Sequence, residues 1–150
     1  MPNVKYLVIH HTAGSLNDTM EQERQYHLNQ GFKEIAYNGF IEKDGKFKVG
    51  RDPNNSNWDQ NGANHGLNSK SLSIALAGNF ENYEPTDAQF KTLVQVCAAW
   101  CKKYSVPAEK IIGHNEVKNI SGDSSDATLC PGKHFIPKIP QLRQLVKKYL

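Results

Sequence analysis

The chain has 150 residues, a length that suits one domain with a full-sized core. Hydrophobic residues make up 38%, charged residues 22%, and the net charge is +3, which is ordinary for a globular protein. This balance excludes the dense Lys/Arg stripe of a nucleic-acid binder and leaves only a mild affinity for polyanionic surfaces such as a cell wall. No apolar segment follows Met1–Lys5, so neither a signal peptide nor a membrane span is expected, and the polypeptide is expected to stay cytoplasmic when made. The three cysteines do not suggest a disulfide scaffold. Cys97 and Cys101 lie four apart on a predicted helix and read as small core hydrophobes.

In chain order, Tyr6-Leu7-Val8-Ile9 is a short apolar run rich in β-branched residues and predicts a central buried strand. It runs into His10 and His11 and then a small-residue turn, Thr12-Ala13-Gly14. Asn17–Thr19 offer caps for a helix over Met20–Gln30, with Gly31 as its stop. That helix is mostly polar, with Tyr26 and Leu28 among its few large side chains, and is placed on the surface over the sheet. Ala36–Glu42 predicts a strand, Asp44-Gly45 a hairpin turn and Lys46–Gly50 the returning strand. From Arg51 to Ser71 the chain is rich in Asn, Gly, Ser and Asp and lacks periodicity; it is long for a passive connection and predicts a functional loop.

Leu72–Ala77 is the next predicted strand. Thr86 and Gln89 form a capping box ahead of a helix whose apolar face carries Phe90, Leu93, Val94, Cys97, Trp100, Cys101 and Tyr104. Lys110–Gly113 reads as a short buried strand ending at His114, and Asn115–Pro131 as irregular. Pro140 opens a terminal helix with Leu142, Leu145 and Val146 facing inward. Helices mixed with strands that include a hairpin give an α/β fold: a single domain, 1–150, with a central mixed, mostly buried β-sheet flanked by helices.

Two predicted strands end in histidine. A third candidate, Cys130, sits in Thr128-Leu129-Cys130-Pro131-Gly132, where proline and glycine pin a turn. Two histidines and a cysteine make a catalytic zinc set, three protein ligands with the fourth position left for water. Their spacing is long, unlike the close pairs of structural zinc sites. Residue chemistry leaves two points open. Cys130 is either a ligand or a packed thiol, and only one of His10 and His11 joins a site, because neighbours on a strand face opposite sides.

Taken together, these pieces resemble the zinc-dependent N-acetylmuramoyl-L-alanine amidase family, which includes phage endolysins and animal peptidoglycan recognition proteins. Val8-Ile9-His10-His11-Thr12-Ala13 is similar to the family's opening motif, whose first histidine binds zinc; the resemblance selects His10. Ala36-Tyr37-Asn38-Gly39-Phe40-Ile41 resembles the segment that carries a catalytic tyrosine, which implies Tyr37. Ser71–Phe80 is similar to the central strand. Gly113-His114 matches the second histidine ligand and Thr128–Gly132 the closing motif with its cysteine. Two positions depart from parts of the family. Ala75 stands where some relatives place a glutamate base, and Thr128 where phage members of the tyrosine branch can carry lysine. His65 falls in the loop where the family commonly has a histidine, but its local match is shifted.

The resemblance implies hydrolysis of the amide between N-acetylmuramic acid and L-alanine in bacterial peptidoglycan. It implies one Zn2+ per chain on His10, His114 and Cys130. Zinc lowers the pKa of bound water and polarises a carbonyl. Tyr37 would orient the nucleophile or hydrogen-bond the oxyanion, since a phenol titrating near about 10 is a poor base at neutral pH. Thr128 either donates to that oxyanion or caps its loop. Glu116 is a carboxylate that orients an imidazole, serves as a base or is simply solvated, and Asp123 and Asp126 lie in a solvated loop. Trp58, Asn61, Asn64, His65 and Asn68 either line one groove wall or, for the asparagines, satisfy loop backbone while Trp58 anchors the loop; the sequence leaves both open. The implied partner is the peptidoglycan glycopeptide, with no nucleic acid and no stable membrane insertion. A monomeric phage-type endolysin, released to the wall by a separate membrane-permeabilising protein, fits this pattern. A bacterial wall-remodelling amidase or antibacterial effector would share the core, and a non-catalytic recognition protein is the alternative from another class.

Overall fold

The apolar run that starts at Tyr6 does not stop at Ile9. In the computed structural model, which describes residues 3–54, 61–64, 66–124 and 127–150, strand β1 spans Tyr6–His11 and carries both histidines inside the sheet. It pairs in parallel with β4 (Ser71–Leu76) on one side and β5 (Ile111–Gly113) on the other. β2 (Gly39–Ile41) lies parallel to β4, and β3 (Phe47–Val49) returns antiparallel at the edge, giving the order β3-β2-β4-β1-β5. The hairpin between β2 and β3 turns at Asp44-Gly45, where Gly45 has φ +88° and Asp44 Oδ1 accepts the Lys46 N–H. The expected α/β class with a mixed, buried sheet flanked by helices is what the chain adopts.

Helix α1 spans Met20–Asn29, and Thr19 and Gln22 cap each other's backbone at its start. α2 covers Asp87–Tyr104 behind the Thr86/Gln89 capping box and buries Leu93, Val94, Cys97, Ala98, Cys101 and Tyr104. With α4 (Ile139–Lys147), which buries Ile139, Leu142 and Val146, α2 covers one face of the sheet. No helix among the described residues is long and apolar enough to cross a membrane.

Three expectations need correcting. The second strand is shorter than Ala36–Glu42, because Ala36 turns its backbone elsewhere: its N–H donates to His27 Nδ1 and its carbonyl accepts from Gly62. The strand after the loop begins at Ser71 and ends at Leu76. The stretch after His114 is not wholly irregular either, since a 3-10 turn over His114–Glu116 leads into the short helix α3, Val117–Ser121.

Candidate metal centre

Strand alternation assigns the two adjacent histidines to opposite faces. Leu7 and Ile9 belong to the core under α2 and α4, and His11 follows their parity. Its Nδ1 accepts the Phe80 N–H at 3.0 Å, and its ring lies 5.9 Å from the Phe80 ring between centroids. Burial lowers the pKa of His11 to about 4. It is a packing residue. Val8 belongs to the cluster on the other face, with Leu67, Ile112 and Val117, and His10 shares that side.

The second histidine arrives through the sheet register. Gly113 pairs with Ile9, so His114 leaves β5 next to the end of β1. Glu116 holds this turn: its carboxylate accepts the Gly113 N–H at 3.2 Å and faces Arg143 Nη2 at 3.2 Å, while Arg143 Nε donates to the Ile111 carbonyl at 2.7 Å. Glu116 therefore positions His114 through the backbone of its turn.

Cys130 is placed by three contacts. Its carbonyl accepts the Asn115 N–H at 2.8 Å, its Sγ accepts the His11 N–H at 3.3 Å, and its own N–H donates to Thr128 Oγ1 at 3.1 Å. Gly132, at φ +101°, lets the loop close against the turn after β4; a Cβ there would meet the Phe80 carbonyl carbon at 2.5 Å.

These elements bring one ligand atom each of His10, His114 and Cys130 within 4.8 Å of one another. The two imidazole centroids are 4.5 Å apart, and Cys130 Sγ is 3.8 Å from His10 Nδ1. A tetrahedral zinc ion, with nitrogen near 2.05 Å and sulfur near 2.3 Å, spaces its ligands by about 3.3–3.6 Å. Two imidazoles and a thiol at this spacing suit such an ion with little movement. Burial holds His10 well below the usual imidazole range, and His114 acts the same way, so the His10 ring is neutral with a lone pair to offer.

The three groups open into a cleft of ≈ 350 Å³ whose walls include Ala13, His27, Phe32, Tyr37 and Thr128. The Tyr37 ring lies 5.2 Å from the His10 ring between centroids. Burial, reinforced by Cys130, pushes its phenol far above the ordinary value, so it stays protonated and keeps a hydroxyl proton to donate. Thr128 both lines the cleft and caps its own loop through the Cys130 N–H. Ala75 is fully buried and lies in register with His10.

The wall supplied by α1 is not foreseen from the sequence. His27 is the buried residue of that polar helix; its Nδ1 accepts the Ala36 N–H at 2.9 Å and its ring lies 5.3 Å from that of Tyr37. A Glu23…His27 spacing of four on an otherwise polar helix was the available signal. Of the two roles open to the loop asparagines, the structure shows the inward one. Asn61 and Asn64 are fully buried and hydrogen-bond inward, and Asn68 accepts the Asn64 N–H at 2.8 Å. The Asp123 N–H donates to Ser121 Oγ just past α3. Trp58, His65 and Asp126 lie outside the described residues.

Comparison with known proteins agrees with this geometry. Residues 1–133 match the family described as N-acetylmuramoyl-L-alanine amidase. Peptidoglycan recognition protein 3 of Mus musculus is 32% identical over 128 residues, 77% of this chain but 35% of the mouse protein, so the chain spans about a third of that relative. Peptidoglycan recognition protein 1 of Bos taurus is 27% identical over 149 residues, the match covering 92% of this chain and 72% of the bovine protein. Among solved structures, the N-acetylmuramoyl-L-alanine amidase LysC from Clostridium intestinale URNW superposes with a TM-score of 0.78 at 27% identity, covering 93% of this chain and 85% of that one. Drosophila PGRP-LB superposes with a TM-score of 0.75 at 25% identity, covering 93% and 81%.

Proposed function

The chain belongs to the N-acetylmuramoyl-L-alanine amidase family, and from that premise we propose that it hydrolyses the amide joining N-acetylmuramic acid to L-alanine in bacterial peptidoglycan. The observation that carries this reading is the convergence of His10, His114 and Cys130, from three separate segments of the chain, on one point in the wall of a cleft. These three residues would hold one zinc ion. Bound there, zinc supplies a Lewis acid for the scissile carbonyl and an activated water for attack.

The chain's own residues do the rest. His10 is buried and neutral, so binding a cation does not first require it to lose a proton. Tyr37, protonated and beside His10, donates to the oxygen on which negative charge develops. The Thr128 oxygen is used by the Cys130 N–H, which leaves its hydroxyl proton for the same oxygen or for the substrate. His27 and Phe32 give the cleft an aromatic wall against which the glycopeptide lies. We place the protein in the cytoplasm on synthesis, as a monomeric phage-type endolysin that reaches the wall once a separate protein has permeabilised the membrane.

Mass analysis of digested sacculi tests the reaction. New stem peptides with a free L-alanine amino terminus are the expected product, and shortened glycan strands would replace the amidase by a glycan-cleaving enzyme. The purified protein should carry about one zinc per chain, and Cys130→Ser should lose both the metal and turnover. Binding of sacculi by zinc-loaded protein with no new amino terminus would make the chain a recognition protein instead.

A further inference from the structure

Beneath His10 lies a buried polar network of Asn61, Asn64, Ser71 and Ser73, and backbone groups settle which way its hydrogen bonds run. The Ala63 N–H can only donate, and it meets Asn61 Oδ1 at 2.9 Å. The Ser71 carbonyl can only accept, and it lies 2.8 Å from Asn61 Nδ2. Those two contacts fix the orientation of the Asn61 carboxamide. Asn61 Oδ1 therefore also takes the Ser73 hydroxyl proton, at 3.0 Å, and the Ser71 hydroxyl gives its proton to the Leu67 carbonyl, at 2.7 Å.

Each serine oxygen now has only lone pairs left for Asn64. Asn64 Nδ2 lies 2.8 Å from both, and its two protons fill them. The atom that remains to face the imidazole is Asn64 Oδ1, 2.7 Å from His10 Nε2. An acceptor at that position requires the proton of a neutral ring to be on Nε2. Nδ1 then carries the lone pair, and Nδ1 is the nitrogen that lies 3.8 Å from Cys130 Sγ.

We propose that Asn64, oriented by Asn61, Ser71 and Ser73, dictates the tautomer of His10 and so makes Nδ1 its metal-binding atom, making Asn64 a positioning residue for the centre. The tautomer assignment stands on the network alone. Its consequence for the metal rests on the reading of His10 as a ligand. A flipped Asn64 amide would set its oxygen against two serine oxygens whose protons point elsewhere, a cost that the imidazole cannot relieve by shifting its own proton. The arrangement is thus polar in one direction, from three backbone groups through four side chains to a ring 2% exposed.

Long-range ¹⁵N–¹H NMR of the metal-free full chain should show a protonated Nε2 and a pyridine-like Nδ1 on His10; the reverse assignment overturns the proposal. Zinc affinity, measured by chelator competition, gives the second test. Asn64→Leu removes the acceptor at similar volume and should weaken zinc binding about 10–100-fold, with the Nδ1–H tautomer now populated in the metal-free ring. Asn64→Asp keeps an oxygen toward Nε2 and should retain the wild-type tautomer, with the Ser71 and Ser73 hydroxyl protons turned onto its second oxygen. An Asn64→Leu protein that binds zinc as tightly as wild type overturns the positioning role. If that variant fails to fold, the wild-type ring assignment still decides the tautomer. Wild-type protein that shows protonated Nε2 yet binds no zinc refutes the metal reading and leaves the tautomer assignment standing.

Discussion

Beneath α2 and α4 the sheet presents Leu7, Ile9, Leu72, Ile74, Leu76 and Ile111, packed on Leu93, Cys97, Phe135 and Leu142. The opposite side of the same strands carries Ser71, Ser73 and Ala75 from β4 and His10 from β1. Both sides are almost free of solvent. One is held together by apolar area removed from water and by close packing, which are non-directional and tolerate similar volumes. The other has smaller apolar clusters around Val8 and Phe40, but beneath His10 it is held by hydrogen bonds that must all be satisfied and whose directions are set by the backbone. The first kind of face stabilises the fold, and the second aims a ring. A single strand supplies both because its side chains alternate.

Neighbouring substitutions on β4 separate the two kinds of face most sharply. Ile74→Ala opens a cavity in the apolar core and should cost about 2–5 kcal/mol in denaturant unfolding, with zinc affinity close to wild type. Ser73→Ala takes the acceptor from one Asn64 N–H and the donor from Asn61, and should cost about 1–3 kcal/mol while also weakening zinc binding. If both variants moved stability alone, the division of labour between the faces would be wrong. Tyr37→Phe probes the polar side at the cleft. It removes one donor from the developing oxyanion and should lower kcat by about 10²–10³, with zinc content and melting temperature near wild type. Full turnover in this variant would take Tyr37 out of the mechanism.

Much of the apolar side was legible in the sequence, because its determinants are local. The capping box at Thr86 and Gln89, the spacing along α2, and the Asp44-Gly45 turn each state their structure within a few residues. The alternation Ser71-Leu72-Ser73-Ile74-Ala75-Leu76 also marks one face of β4 as small and polar. What it does not contain is the register that sets Ala75 beside His10 and Gly113 beside Ile9, which is a property of strands far apart in the chain. Residue chemistry for that reason could not choose between His10 and His11; family resemblance chose, and the geometry places His10 with the other two candidate ligands. Whether Asn61 and Asn64 line a groove or bond inward stays open in the sequence, because their partners are backbone groups and serines that only the folded chain brings near. The helix α3 was missed because Val117–Ser121 is too short to show a period.

Polar groups on the cleft side carry a cost that pH reveals, and Glu23 shows it most directly. It lies on α1 with its side chain 12% exposed, 3.5 Å from His27 Nε2. Burial, with help from the charge of Asp18, raises its pKa from 4.5 to about 7. Burial, with Arg51, lowers that of His27, so at neutral pH the contact joins a carboxyl group to a neutral imidazole rather than two full charges. Between those two values of Glu23 the folded state binds more protons than the unfolded chain. Stability therefore falls as pH rises through that window, and at pH 8 the folded state holds a carboxylate that burial disfavours. Glu23→Gln keeps the shape and an acceptor while removing the charge. After allowance for solvent screening at a partly buried group, the gain at pH 8 should be about 1 kcal/mol, or about 2–4 °C in melting temperature for a chain of this size. Near pH 4, where wild-type Glu23 is protonated in the folded state, the two proteins should melt together. Parallel melting curves at both pH values would show that Glu23 keeps its ordinary pKa and that this part of α1 is open to water.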